Sequence, residues 1–402
     1  MTDVLVLGLL SIALASGYFL GRKHKSFRRD VLQNQPLSWP QQRYYQGLTQ
    51  LLNDQTDAAI DTFIEALDVN SETLETHLAL GSLLRKRGEV SRAIRVHQNL
   101  LSRSGLSKAQ NQNAQLELGI DYMRAGLLDR AESLFKDLIN LRDVEKQTRI
   151  HASQHLLEVY QELREWLLAI DIADRLTGKK FAGAADKWRE VQAHYSCEIA
   201  EASIDEKDWL TARRWLRTAL RYDKKCVRAA LLSAQLEMAQ EDYALAISIL
   251  RKVPQQNSAY ASEILSPLFE CYKKVNNLPG YLQDLAELYK RNRELMVLRY
   301  LAKATEAVKG GDAVVALLME ELPHYPDMEP AGELLGLVSD ERGPQSLRNY
   351  VRIKGVLEKL TDSRHVYSCE HCGFSGSQLH WLCPGCKSWA TVRLEPKKAK
   401  SL

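Results

Sequence analysis

The stretch GIDYMRAGLLDRAESLFKDL, residues Gly119 to Leu138, decides the fold class of this 402-residue chain. It carries a glycine, then a small residue at Ala131 and a bulky one at Phe135. Two earlier copies of the pattern lie upstream, and their glycines are about 34 residues apart. Their members are Gly47, Ala59, Phe63 and Ala66 in the first copy, and Gly81 and Ala93 in the second.

Small and bulky residues at this period are typical of the tetratricopeptide repeat (TPR), whose unit is a pair of antiparallel helices. The small residues let the two helices approach closely, and the aromatic residue fills the gap beside them. A single pair cannot bury its apolar face without a neighbour, so repeats stack. The sequence therefore predicts an all-α fold, a TPR-type α-solenoid over residues 41–325, which is a scaffold for binding other proteins.

Weaker copies extend the array. An eighth unit is predicted between Leu301 and Leu322, with its turn at Gly310 and Gly311, and a helix pair at 326–362 is predicted to cap the solenoid. The marker residues of units four to seven are Leu157, Tyr160, Ala169, Ala173; Ala200, Ala212, Leu216, Ala219; Ala234, Ala246; and Phe269, Tyr272, Leu285, Leu288.

Composition narrows the function classes. The chain is 45% hydrophobic and 26% charged, as expected of a folded protein. Its net charge is +3 with both signs intermixed, so no basic face suggests nucleic acid. Three of the seven cysteines, Cys197, Cys226 and Cys271, lie within helical patterns, and the other four lie between Cys369 and Cys386. An odd number without framework spacing argues against a secreted disulfide scaffold and favours a reducing compartment.

The N-terminal segment 1–21 is predicted to be a transmembrane anchor. Its run from Val4 to Gly21 carries no charge and as a helix would span about 27 Å, just enough for a bilayer core. A cleaved signal peptide is the alternative, with a cleavage site near Ala13–Ala15. Asp3 and the absence of a preceding Lys or Arg favour the uncleaved anchor.

A basic linker, residues 22–40, follows the anchor. Its Lys and Arg residues place this flank, and the rest of the chain, in the cytoplasm by the positive-inside rule. Gly17 and Gly21 have the spacing of a helix-pairing motif, which leaves a homodimer open.

Large side chains of the array are interpreted as packing residues. Helical periodicity favours core or inter-repeat contacts for the tryptophans, and packing or surface positions for the histidines. These are Trp166, Trp188, Trp209 and Trp215, and His77, His97 and His194. No catalytic triad, phosphate loop or HExxH motif is present, so we predict no catalytic residue, no organic-cofactor site and no enzyme activity.

The segment SCEHCGFSGSQLHWLCPGCKSW, from Ser368 to Trp389, contains two CxxC pairs. Each can form a tight knuckle with two thiolates on one ion, and two facing knuckles complete a tetrahedral site. The predicted metal ligands are therefore Cys369, Cys372, Cys383 and Cys386. Two redox dithiols or unpaired cysteines are the alternative, but the segment is too short to build a core of its own, which favours a metal. Such a site suits zinc or a single iron, and the sequence does not decide between them.

Other residues of this segment have expected roles. Gly373 and Gly385 are expected to supply the backbone freedom of the knuckles, and Trp381 and Trp389 to cover the site. The nearby histidines, His365, His371 and His380, are superfluous if four cysteines bind. We place the metal domain at 363–394 and a basic tail at 395–402.

The CxxCG and CPxC knuckles resemble those of rubredoxins. The spacer is much shorter than in electron-transfer rubredoxins, and Lys387 stands where the second knuckle usually has glycine, so a structural clasp fits better than a redox centre. An anchor, a TPR run and a C-terminal rubredoxin-like module, in that order, resemble the bacterial lipopolysaccharide assembly protein B family.

That resemblance implies a single-pass inner-membrane regulator of lipopolysaccharide biosynthesis. Members of the family bring the UDP-3-O-acyl-N-acetylglucosamine deacetylase to the membrane AAA+ protease FtsH for degradation, with other envelope-assembly proteins as further partners. In the family, the rubredoxin-like module packs against the array and both are needed. Two alternatives stay open: a membrane-tethered electron carrier, and a TPR scaffold for envelope assembly without a proteolytic role.

Overall fold

The computed structural model describes residues 45–47, 49–50, 58, 62, 74–102, 105–177, 185–321, 324–325 and 367–394. The predictions for segments 1–21, 22–40, 326–362 and 395–402 lie outside these residues, as do those for Ala59, Phe63 and Ala66. Within the described residues, no helix has both the length and the apolar character needed to cross a bilayer. The chain divides into two compact units, Met1–Arg149 and Ile150–Leu402, and each is described by itself.

The first unit consists of paired helices joined by short turns. Helix α3 begins with a capping box, in which the Ser107 hydroxyl accepts from the Gln110 N–H and the Gln110 side chain accepts from the Ser107 N–H. The helices are α1 Leu74–Lys86, α2 Val90–Leu101, α3 Lys108–Arg124 and α4 Leu128–Asn140, followed by α5 Lys146–Leu163, within which the unit boundary falls.

The predicted contact between small and bulky residues is present in the third repeat. A Cβ added to Gly119 on α3 would lie 2.5 Å from Cε1 of Phe135 on α4, so the ring rests directly on the glycine backbone. Ala131 and Phe135 are fully buried. The repeat pattern quoted from the sequence therefore marks a real helix-to-helix contact.

The second repeat has the same contact with a different side chain. His97, on α2, occupies the place of Phe135, and a Cβ on Gly81 would overlap its ring. His97 Nδ1 donates to Asp121 Oδ2 at 2.5 Å, and Arg85 contacts the other Asp121 oxygen at 2.6 Å. His97 and Asp121 have no solvent exposure, so burial requires this pairing. The expected packing role of His97 is correct, with a polar network that the sequence did not indicate.

The second unit also consists of helix pairs, and two of its helices begin with an aspartate cap. Asp208 and Asp242 accept from the Thr211 and Leu245 N–H groups, which caps the second helices of the fifth and sixth repeats. The helices are α6 Trp166–Thr177, α7 Ala185–Asp205, α8 Trp209–Tyr222, α9 Val227–Ala239, α10 Tyr243–Leu250, α11 Val253–Gln256, a 3₁₀ segment Ser258–Ile264, α12 Leu265–Lys274, α13 Leu278–Asn292, α14 Leu295–Lys309 and α15 Gly311–Glu321.

The marker residues of the weaker repeats lie in the core, as predicted. Ala200, Ala212 and Ala246 are fully buried, and Trp209 and Trp215 pack on the core around Ala212. The eighth pair is also present, because α14 ends at Gly310, whose φ of 89° turns the chain into α15.

The C-terminal module adds a small antiparallel sheet that the sequence did not predict. Its strands are β1 Tyr367–Cys369, β2 Ser375–Gly376 and β3 Val392–Leu394, in the order β2-β1-β3. The register pairs Ser368 with Ser375 and with Arg393. The sheet joins the start, the first turn and the end of the module, which brings the two cysteine pairs together.

Candidate metal centre

The four predicted ligands lie at one point. Their sulfur atoms are all within 4.8 Å of one another. Cys369 Sγ is 3.8 Å from Cys386 Sγ, and Cys372 Sγ is 3.7 Å from Cys383 Sγ. A tetrahedral ion with metal–sulfur bonds of about 2.3 Å would separate its ligands by about 3.8 Å. The sulfurs are too far apart for disulfides and match the edges of a four-sulfur metal site, so a four-cysteine metal-binding knuckle is present.

The two knuckles share one backbone design. The Cys369 N–H donates to the Phe374 carbonyl, and the Gly373 N–H donates back to the Cys369 carbonyl. In the second knuckle, Cys383 makes the same pair of bonds with Ser388 and Lys387. Gly373 and Lys387 thus hold equivalent positions, and both have left-handed φ, 74° and 56°. The lysine adopts the conformation that glycine provides in the first knuckle.

Gly385 has a different role from the one expected. Its φ is not in the left-handed region, whereas a Cβ added there would lie 3.3 Å from Cys372 Sγ and 3.9 Å from Cys383 Sγ. Glycine at this position therefore permits close approach to the sulfurs. The backbone freedom predicted for Gly385 is instead required at Lys387.

Hydrogen bonds favour the thiolate form of two of the ligands, Cys369 and Cys386, whereas desolvation and hydrogen bonds from the other cysteines raise the pKa of the Cys372 thiol. The Thr391 hydroxyl lies 3.3 Å from Cys369 Sγ, where it can donate to a thiolate. Hydrogen bonds from Ser388 and His371 lower the pKa of the Cys386 thiol to about 5. His371 thus stabilises a ligand, while the four cysteines suffice for the coordination shell.

The module buries very little besides its sulfurs. Its buried residues are Cys369, Cys383 and Val392, with Phe374 and Leu379 packed partly against them. Because two of these three residues are predicted metal ligands, the apolar core alone is too small to hold the segment folded. A metal bond and an outside surface are both needed.

Helices of the second unit provide that surface, and Trp389 is its centre. The Trp389 ring stacks on His194 with centroids 5.0 Å apart and meets Trp166 and Tyr195 edge-on at 6.2 and 5.8 Å. Its Nε1–H donates to Gln161 Oε1 at 2.9 Å. Trp389 was expected to cover the metal site, but its ring contacts are with the array.

Trp381 makes a second contact of the same kind. It stacks on Tyr260 with centroids 5.3 Å apart and lies 6.0 Å from His194. The expectation that Trp381 covers the sulfurs is likewise replaced by docking on α7 and the 3₁₀ segment. His194 therefore lies between two tryptophans of the module.

The array surface that receives the two tryptophans, formed by Gln161, Trp166, His194, Tyr195 and Tyr260, is here called the dock. Polar contacts lie around its edge. Lys387 Nζ lies 3.3 Å from Glu162 Oε1, the Tyr367 hydroxyl donates to Glu263 at 2.9 Å, and the Tyr260 hydroxyl donates to the Ala390 carbonyl at 3.3 Å. The module is thus fixed to the array at several points around the two stacked rings.

Burial keeps His194 neutral in the dock. Desolvation, helped by the nearby Arg228 cation, lowers the pKa of His194 to about 3. The Arg228 guanidinium lies 5.7 Å from the Trp389 ring centroid and is neutralised by Glu198 and Glu201 at 2.7 and 2.6 Å. A neutral imidazole can stack between two indoles without the cost of a buried charge.

Sequence reasoning predicted the four cysteines, and the family resemblance implied that the module packs against the array, but the residues that form this contact were not predicted. Gln161, His194 and Tyr260 are far from the module along the chain, and none of them belongs to a local motif. The available signal was weak: two tryptophans in a module too small to bury them. Exposed aromatic rings of that size indicate a partner surface.

Comparison with known proteins supports both the metal module and the repeat array. A family model described as a rubredoxin metal binding domain matches residues 367–393, and a tetratricopeptide repeat model matches residues 197–261. Lipopolysaccharide assembly protein B of Escherichia coli strain K12 is 33% identical over 396 residues, covering 98% of each chain.

A second relative and one solved structure complete the comparison. The protein of the same name from Haemophilus influenzae is 33% identical over 405 residues, again covering 98% of each. A tetratricopeptide repeat protein from Parabacteroides merdae superposes with a TM-score of 0.34 at 13% identity, covering 70% of this chain and 100% of that one, which is too loose to carry an argument.

Proposed function

Because this chain belongs to the lipopolysaccharide assembly protein B family, we propose that it limits lipopolysaccharide synthesis as an adaptor for proteolysis. In this proposal it binds the UDP-3-O-acyl-N-acetylglucosamine deacetylase and delivers it to FtsH, and it catalyses no reaction itself. Segment 1–21 anchors it in the inner membrane, with the bulk of the chain facing the cytoplasm.

One observation carries the proposal beyond family membership: the metal module is fixed to the repeat array through Trp381, Trp389 and Lys387. A module packed in this way adds its own surface to that of the helices it covers. In this proposal the composite face is the surface that holds the client. Tethering that face beside a membrane protease gives effective concentrations of order mM, so no chemistry is required of the adaptor.

The metal has a structural role in this proposal. We infer that Cys369, Cys372, Cys383 and Cys386 hold one ion, zinc or iron, that fixes the two knuckles against each other. The sulfur spacing supports either ion. When bound, the ion supplies cross-linking of the module, and the hydrogen bonds from Thr391, Ser388 and His371 favour the thiolate form of Cys369 and Cys386.

The proteolysis role is tested by the half-life of the deacetylase in a strain depleted of this protein. We expect the wild-type chain to restore rapid turnover. Trp389→Ala, which keeps all four cysteines, should bind metal and fail to restore turnover, whereas Trp389→Phe should restore most of it. Normal turnover with Trp389→Ala would contradict a role for the composite face.

Anchoring is tested separately by deleting residues 1–21. The truncated chain should be a folded, soluble protein that leaves the deacetylase long-lived, because the array does not need the anchor to fold. Full regulation by the truncated chain would overturn the tether. Visible absorbance and elemental analysis of the purified protein identify the ion, and a reversible iron–thiolate signal would favour the electron carrier instead.

A further inference from the structure

Helix α8, the second helix of the fifth repeat, has an unusual outer face. Its sequence contains four arginines and no acidic residue. Leu210, Arg214, Arg217 and Arg221 are exposed and, with Thr218, line a surface hollow of about 400 Å³. We name the row formed by Leu210, Arg214, Arg217 and Arg221 the arginine seam.

The spacing of the seam makes it a straight row. Its members are separated by four, three and four positions, the 3.5-residue spacing that keeps side chains along one line of a helix. From Leu210 to Arg221 the row is about 16 Å long. A second helix lying alongside would meet every member of the row with residues of the same spacing.

The charges of the seam are not neutralised within the described part of the chain, where no carboxylate lies within ion-pair distance of Arg214, Arg217 or Arg221. Among the described residues, the guanidinium of Arg221 makes an aromatic contact, 6.0 Å from the Tyr222 ring centroid. The three cations are therefore available to a partner.

Several other arginines of the second unit are paired with carboxylates. Arg175 pairs with Asp171 at 2.7 Å, Arg251 with Asp284 at 2.7 Å, and Arg213 with Glu237 at 2.9 Å. Three other exposed arginines of this unit, Arg164, Arg189 and Arg291, have no ion pair among the described residues either. The seam differs from them because its three unpaired arginines lie along one line of a single helix.

An apolar residue begins the row. Leu210 is 83% exposed, the largest exposed fraction among the exposed large hydrophobic residues of the described chain. One exposed leucine is ordinary, but this one continues the line of the three arginines. A partner that covered the row would bury it, which adds an apolar contact to the ionic ones.

We infer that the arginine seam is a docking site for an acidic amphipathic helix of a partner protein. Carboxylates at the matching spacing would pair with Arg214, Arg217 and Arg221, and an apolar residue at one end would cover Leu210. This inference does not rest on the proposed function, because it concerns a different surface from the metal module and requires no particular client.

Two other anionic partners fit the observations less well. A phosphate group is bound by donors that converge from several elements, whereas the seam is a row along a single helix. A flat anionic membrane is met best by basic groups spread over a broad surface, whereas the seam is a single row about 16 Å long. An elongated, narrow, acidic partner matches the row best.

The test uses the full chain and a fluorescent peptide probe. The probe is a stapled helix of about 20 residues, long enough to stay helical, with glutamates at the seam spacing and a leucine at either end. A second probe has the same composition with its glutamates distributed around the helix. We expect the first probe to bind more tightly by anisotropy, with an affinity that falls as salt increases.

Charge reversal locates the binding. Arg214→Glu with Arg217→Glu should weaken binding of the first probe by about tenfold or more, since two attractions become repulsions. The matched control, Lys273→Glu with Lys274→Glu on α12, makes the same charge change at other exposed sites and should bind as wild type. A probe with lysines in place of the glutamates should bind the Arg214→Glu, Arg217→Glu variant better than the wild type.

The same variants separate the rival partners. Circular dichroism should show all of them folded, because every substituted residue is exposed. Equal binding of the two glutamate probes, or equal loss in the α12 control, would overturn the inference. So would binding of phosphatidylglycerol vesicles or pyrophosphate, or self-association, that depends on Arg214 and Arg217 while the helical probe does not bind.

Discussion

The repeat array of the second unit buries a continuous cluster of side chains that extends from Val227 to Tyr325, whereas the metal module buries three of its described residues. In the array, each repeat provides half of a contact that its neighbour completes. In the module, two of the three buried residues are predicted metal ligands, and the largest rings point into the array. The array can thus fold on its own contacts, while the module requires an ion and a docking surface.

Removing the ion should have the largest effect, because we expect it to unfold the module and leave the array folded. Cys369→Ser with Cys372→Ser leaves two of four ligands, and structural zinc sites are worth about 10–16 kcal/mol. We expect loss of metal by elemental analysis and proteolysis of residues 367–394, with little change in helical circular dichroism.

A cysteine outside the module provides the control. Cys271→Ala, in the array core, should keep the metal and the protease-resistant module. Loss of the helical signal in the double serine variant would mean that the array also depends on the ion, and the contrast drawn above would be wrong.

Overpacking substitutions test the contacts between paired helices of the array. Gly119→Leu would drive a side chain into the Phe135 ring, and Gly81→Leu into the His97 ring, at a cost of about 3 kcal/mol or more in the free energy of unfolding. Gly311→Leu is the matched control, because a Cβ there meets nothing within 4 Å. Thermal unfolding should separate the first two variants from the third. Equal melting of all three would mean that the helix contacts are misplaced.

The dock itself is tested at Trp389. Replacing it by alanine removes the stack on His194 and the bond to Gln161, which we expect to cost about 2–3 kcal/mol, somewhat less than truncation of a fully buried tryptophan. Hydrogen exchange should increase in the module and on the helices beneath it, with metal retained. Trp389→Phe keeps the stack and should show less than half the effect, and an unchanged exchange pattern in both variants would argue against the dock.

The smallest expected effect is a dependence on pH. His194 has a folded pKa of about 3 against an ordinary 6.5, so between these values the unfolded chain takes up a proton that the folded chain does not. Stability is therefore complete above about pH 6.5 and decreases as the pH falls, by about 1–2 kcal/mol between pH 7 and 5. Urea unfolding of wild type and His194→Phe at pH 7 and at pH 5 measures the contribution of His194. Protonation of the cysteine thiolates affects both proteins equally, so it cancels in the comparison. If the free energy of unfolding changed equally with pH in the two proteins, His194 would be in contact with water and not buried.

These contrasts also show which parts of the structure the sequence could predict. Gly119 with Phe135, and the two CxxC pairs, are local patterns, and in both cases the structure brings together the side chains that the spacing predicts to meet. The polar contact of His97 was not predicted, because a histidine at an aromatic position looks like packing until its partner Asp121 is placed beside it. Contacts of that kind depend on residues brought together by folding.

Lys387 shows the same limit within the module. The sequence marked it as a departure from glycine, and the departure was interpreted as evidence against redox chemistry. In the structure the lysine keeps the left-handed backbone of glycine and adds a contact with Glu162. A left-handed lysine costs on the order of 1 kcal/mol. The ion pair to the array gives that residue a role that no local pattern reveals.

The separation of 228 residues between Gln161 and Trp389 has a consequence for synthesis of the protein. The helices that receive the module leave the ribosome long before the module does, and repeats can fold as they emerge. Closure of the dock is then the last folding step, and it requires both the C-terminal residues and their ion. A chain that terminates early, or that is made without metal, would leave the surface around His194 and Tyr260 uncovered. The finished dock therefore distinguishes a metal-loaded molecule from one that stops before the module or lacks the ion.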